Sequence, residues 1–123
     1  MRGNKKRSNC PNLFDRLNQY RVMWILVFFD LPTETKKDKR QYRLFVQRLE
    51  KDGFQRFQWS IFLRHCPSRE NMDVHIQRVK GFLPPKGHVA LLHITDKQFG
   101  MMELFVSQKK EELPSISQQL ELF

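Results

Sequence analysis

Eight consecutive apolar residues, Val22–Phe29, run without interruption into Asp30-Leu31-Pro32. A run of that length shows no alternation, and it predicts a central strand covered on both faces. Beyond Pro32 the period changes. Tyr42, Phe45, Val46 and Leu49 recur at i, i+3, i+4 and i+7, with Lys36, Lys37, Lys39, Arg40, Arg43 and Arg48 off that stripe, so an amphipathic helix is expected. Thr33 or Thr35 can cap its start, Glu34 and Asp38 suit its positive end, and Gly53 marks a left-handed stop. "FQRFQWSIFLRHC" reads as two short strands bent near Gln58–Ser60. Pro67-Ser68 opens a second helix with Met72, Ile76, Val79 and Leu83 as its buried stripe and His75 at the stripe's edge. "HVALLHIT" is another strand, "DKQF" a turn and "MMELFVS" a last short strand, with Met101 and Met102 serving its packing.

The order strand–helix–strand–strand–helix–strand, with one additional C-terminal strand, predicts an α+β fold of ferredoxin-like βαββαβ type. Two helices then cover one face of an antiparallel four-stranded sheet. They leave the second face of the apolar strand bare, and an identical sheet across a two-fold axis is the simplest cover. A homodimer is therefore expected. The chain divides into a basic extension at 1–20, a domain at 21–107 and a tail at 108–123. The first ten residues are expected to be a disordered basic arm, and "LFDRLNQY" a short helix.

Charge adds a partner class. Lys and Arg number 22 against 13 Asp and Glu, a formal charge of +9, which favours a polyanion bound with steep salt dependence. Cys10 and Cys66 form no CxxC pair, so reduced thiols are expected. His65 and Cys66 point to opposite faces of a strand, and His65, His75, His88 and His93 share no ligand spacing, so the histidines read as structural. The apolar run meets Asp-Leu-Pro instead of a small-residue cleavage site and is too short to span a bilayer, which points to the cytoplasm and no membrane partner. No glycine-rich phosphate loop, HExxH or Gly-x-Ser-x-Gly occurs, which removes several enzyme classes. "SIFLRHC" also lacks the glycine-containing signature of RNA-recognition strands.

Asp30 closes the central strand just ahead of a helix. Its carboxylate can accept backbone N–H groups in the turn. Alternatively it can hold a divalent cation, but one carboxylate binds Mg²⁺ weakly, so that reading needs a second Asp30 from a two-fold partner.

"WILVFFDLPTETKKDKRQYRLF", "DGFQRFQWSIFLRHC" and "PPKGHVALLHITDKQF" resemble, in order, three signature blocks of the CRISPR-associated protein 2 family, over about residues 21–106 and most like members from type II systems. Trp59, where many relatives carry another aromatic or a polar residue, and the long basic start depart from that pattern. The resemblance implies a ferredoxin-like homodimer whose final strand reaches to its neighbour, in the spacer-acquisition machinery. It also implies a metal-dependent endonuclease acting on RNA or duplex DNA, with Asp30 as the Mg²⁺ (or Mn²⁺) ligand and catalytic position. Members further bridge two dimers of the CRISPR integrase on prespacer duplex DNA, a role for which cleavage can be dispensable. On this reading Ser60 hydrogen-bonds a phosphate or the metal's water, or else satisfies backbone at the bend. Lys36, Lys37, Lys39, Arg40, Arg43, Arg56 and Arg64 are candidate phosphate contacts, or solvated charges. A stand-alone Mg²⁺-dependent endoribonuclease acting on single-stranded RNA is the alternative.

The terminal "QLELF" resembles the short peptides that dock on the bacterial replication sliding clamp, with Gln119 as anchor and Leu122 and Phe123 filling an apolar pocket. The competing expectation is that Leu120, Leu122 and Phe123 pack on the integrase or on the chain's own dimer.

Overall fold

A computed structural model describes residues 21–115. The expected basic arm, the helix at "LFDRLNQY" and the terminal peptide Gln119–Phe123 lie outside the described residues.

The apolar run forms β1, Met23–Asp30, in the middle of a four-stranded antiparallel sheet. The other strands are β2 (Gln55–Gln58), β3 (Ile61–Cys66) and β4 (His88–Thr95), in the order β2-β3-β1-β4. Helices α1 (Lys36–Lys51) and α2 (Arg69–Gly81) supply the predicted cover on one face. Met23, Ile25, Val27 and Phe29 of β1 pack there against Phe45, Val46 and Leu49 of α1 and Met72 and Val79 of α2. Of the two proposed caps for α1, Thr35 is the one used: its Oγ1 accepts from the Asp38 N–H at 3.0 Å and the Asp38 carboxylate accepts in return. Gly53 follows the helix at φ 91°, the left-handed stop expected of it. The bend at Gln58–Ser60 separates β2 from β3, with a register shift between Arg56 and Gln58. The topology fits the ferredoxin-like α+β arrangement, with further elements added.

Those additions correct the sequence reading. "DKQF" is not a turn but a short helix, α3 (Asp96–Gly100), started by a Thr95–Gln98 capping box. It lies on the second face of the sheet. Trp24 stacks on Phe99 with ring centroids 4.2 Å apart, and its Nε1–H donates to Asp96 Oδ1 at 2.7 Å. Trp24, Leu26, Leu63 and Phe99 thus form a second cluster, flanked by Phe57, Ile94, Met102 and Leu113. Part of the cover assigned to a second subunit is supplied by the chain itself. The remainder stays open: Leu92 in the middle of β4 is 46% exposed.

The additional C-terminal strand is present, but it does not stand alone. β5 (Leu104–Val106) pairs with β6 (Lys109–Glu111) in a separate two-stranded sheet, through a turn with Ser107 and Gln108 both at positive φ. Met102 packs as expected, but Met101 is 72% exposed. Leu83 is outside the buried stripe because α2 ends at Gly81. His75, by contrast, is inside it. Burial is tolerable there because its Nδ1 lies 2.8 Å from Asp52 Oδ2, while Asp52 Oδ1 accepts from Arg78 Nη1 at 2.9 Å. Cys66 is free and buried on the helix face, and burial pushes its thiol pKa up to about 11, with Arg64 opposing. A thiol so placed is almost wholly protonated at neutral pH and is a poor nucleophile.

Candidate metal centre and nucleic-acid surface

Alternation along β1 puts Met23, Ile25, Val27 and Phe29 under the helices, so Trp24, Leu26, Phe28 and Asp30 face the other way. Asp30 is the last residue of the strand and is exposed. The cap of α1 belongs to Thr35, and no hydrogen bond or ion pair among the described residues engages the Asp30 carboxylate. It lines an open groove with Phe28, Ser60, Ile61, His88 and Ala90.

Ser60 stands at the bend before β3, where its carbonyl accepts from the Phe29 N–H at 3.1 Å. That bond ties the bend to the end of β1, and Ser60 lines the same groove as Asp30. On the opposite side of β1, His88 is the Cα partner of Asp30 in the β1–β4 ladder. Directly opposed residues of an antiparallel pair share a face, so the structure puts an imidazole beside the carboxylate. Spacing along the chain does not reveal this, because the residues are far apart in sequence. The signal was the topology: in an antiparallel β1–β4 pair, the end of one strand meets the beginning of the other.

Gly87 makes that register possible. It has φ +93°, and a Cβ there would lie 2.7 Å from the Asp30 carbonyl oxygen and 2.7 Å from Leu31 Cδ2. Only a residue without a side chain brings the backbone ahead of β4 so close to the end of β1.

For a divalent cation the donor set of one chain is small. Among the described residues no group of three or more His, Cys, Asp and Glu side chains can hold a metal ion. Asp30 and His88 offer one oxygen and one nitrogen ligand in an open groove, a donor set that fits half of a site completed by a second copy, water and phosphate.

The basic candidates separate into two groups. Lys36, Lys37, Lys39, Arg40 and Arg43 are all exposed on α1, the helix that follows the Asp30 loop. Arg56 and Arg64 do not join that strip. The Arg56 guanidinium lies 4.7 Å from the Trp59 ring centroid and 4.8 Å from that of Phe62, and it donates to the Trp59 carbonyl. Arg64 is partly buried beside Cys66, with its Nε enclosed and without a hydrogen-bond partner. Trp59 is 72% exposed and stacks against Tyr42 of α1 at 6.4 Å. No helix among the described residues is long and apolar enough to cross a membrane.

Known proteins match this chain over nearly the whole described region. The family model for CRISPR associated protein Cas2 matches residues 23–102. A CRISPR-associated endoribonuclease Cas2 from Flavobacterium psychrophilum is 56% identical over 110 residues, covering 89% of this chain and 96% of that protein. Similar proteins of the same description occur in Parvibaculum lavamentivorans, at 42% identity over 82% of this chain and all of the relative, and in Ligilactobacillus salivarius, at 34% over 74% of this chain and 90% of the relative.

Proposed function

Because the chain belongs to the CRISPR-associated Cas2 family, we propose that it serves spacer acquisition as a homodimer, in a system of type II. In that role it bridges two integrase dimers, holds prespacer duplex DNA by its phosphates, and carries a metal-dependent phosphodiesterase site at Asp30. The observation that supports this reading most strongly is the position of Asp30: exposed, unpaired and at the end of the central strand, in a groove with Ser60 and His88. A bound Mg²⁺ or Mn²⁺ there would polarise a phosphoryl oxygen and lower the pKa of coordinated water. The chain's own part is to present the Asp30 carboxylate, to leave room for substrate beside Ser60, and to offer positive charge from α1 along the approach. Paired assays of cleavage and spacer integration with Asp30→Asn protein test the proposal. Lost cleavage with retained integration is the expected result, and cleavage at the wild-type rate refutes the assignment.

The second face of the sheet supports the dimer. Leu92 is exposed and, among the described residues, β4 is an edge strand hydrogen-bonded only to β1, while Phe105 and Val106 of β5 are more than half exposed. An apolar edge left open invites pairing with another chain, and the partner's β5 reaching across to that edge is the arrangement proposed. Light scattering at micromolar concentration is expected to give the mass of two chains; a stable monomer would exclude it.

Single-stranded RNA is the second substrate class. One observation favours it: the exposed Trp59 ring, supported by Tyr42 and Arg56, offers a surface on which an unpaired base can stack. The tail Gln119–Phe123 is proposed as a docking handle, for the integrase or for a sliding clamp. A tail peptide that binds neither at high micromolar concentration would dispose of it. The cytoplasm is the proposed location.

A further inference from the structure

We propose that His88 is the second protein ligand of the cation half-site at Asp30 and that its nitrogen makes the site favour Mn²⁺ over Mg²⁺. The inference rests on the reading of Asp30 as a metal ligand and extends it by one donor and one preference among ions. Three observations support it. Asp30 and His88 are Cα partners across β1 and β4, and directly opposed Cβ atoms lie about 5 Å apart, within reach of one ion. Both residues are exposed and line the same groove, and neither side chain is held by another described residue. Gly87, with its positive φ and its close approach to the Asp30 carbonyl, fixes where His88 begins the strand.

The chemistry of the pair sets the preference. Mg²⁺ is a hard ion that holds oxygen ligands and water and dehydrates reluctantly. Mn²⁺ keeps the same octahedral, oxygen-rich habit but opens the series of transition ions that accept imidazole nitrogen. A site with one carboxylate and one imidazole per chain, the rest filled by water and phosphate, therefore discriminates between them. An imidazole binds a metal ion through a neutral ring nitrogen, so it adds a ligand without adding negative charge and phosphate approach is not opposed.

The test uses full-length wild-type protein and the variants Asp30→Asn, His88→Asn and His93→Asn, each first shown to keep the wild-type far-ultraviolet spectrum. His93 lies on the same strand but on its other face, opposite Ile25. Mn²⁺ and Mg²⁺ are titrated by calorimetry, and pulsed electron paramagnetic resonance of the Mn²⁺-loaded proteins reads directly bound nitrogen. Wild-type and His93→Asn proteins are expected to show nitrogen coupling. His88→Asn should lose it and bind Mn²⁺ about tenfold more weakly, with Mg²⁺ affinity nearly unchanged. Nitrogen coupling that persists in His88→Asn, or unchanged Mn²⁺ affinity there when Asp30→Asn has lost it, overturns the His88 assignment and leaves Asp30 standing. Equal Mn²⁺ affinity in wild-type and Asp30→Asn protein overturns both.

Discussion

Trp24→Ala lowers the stability of the domain by about 4 kcal/mol and releases α3 from the sheet. Trp24 is fully buried at the start of β1, and it is the residue through which α3 is attached. Truncation removes a large apolar surface from the second cluster and leaves a cavity against Leu26, Leu63 and Phe99. It also takes the donor away from Asp96, whose carboxylate then sits at a partly buried position with one partner fewer. A helix of five residues has no stability of its own in water, so its position depends on that attachment. Trp24→Phe separates the contributions: it keeps a ring over Phe99, deletes the N–H, and is expected to cost about 2 kcal/mol. Urea unfolding followed by circular dichroism reads both values, provided the slope against denaturant is unchanged. A loss below about 1 kcal/mol for Trp24→Ala would mean that α3 is held by the backbone bond from the Asp96 N–H to the Val22 carbonyl.

This cluster also shows how far the sequence could be read. The central strand was legible because an unbroken apolar run has few other uses in a small domain. α1 was legible because its stripe, its Thr35 cap and its Gly53 stop agree with one another. α3 was missed although Thr95-x-x-Gln98 is a capping signature, because five residues are too few to show a helical period. The β5–β6 hairpin was missed because its turn uses Ser107 and Gln108 at positive φ, where Gly or Asn is the usual signal. Helical periodicity alone sets His75 at the edge of its stripe, because its partner, Asp52, belongs to another helix terminus 23 positions away. Asp30 stood out as a lone carboxylate closing an apolar run. His88 did not, since its relation to Asp30 exists only once strand register is known. Element type and strand topology were readable; the residue-by-residue register across the sheet was not.

Asp30→Asn is expected to cut nucleic-acid cleavage by at least about a hundredfold, since even outer-shell partners of a metal cost ten- to a hundredfold. Stability should move by no more than about 0.5 kcal/mol, because the residue is exposed and forms no hydrogen bond or ion pair among the described residues. The amide keeps the shape of the carboxylate and removes its charge, so a folded, dimeric variant isolates the chemistry. Duplex binding should be retained or slightly strengthened, as one negative charge per chain is withdrawn from the path of the phosphates. Mixed dimers carry the argument further. If two Asp30 carboxylates share one cation on a two-fold axis, a dimer with a single variant chain is inactive. Equal amounts of wild-type and variant chains, combined at random, then leave about one quarter of the wild-type cleavage. Independent sites would leave about half. The donor set of one chain, a single carboxylate with a single imidazole, favours the quarter, since a cation held that sparsely needs the second copy. A residue of one half would move the chemistry off the symmetry axis, and cleavage undiminished in pure Asp30→Asn protein would remove Asp30 from it altogether.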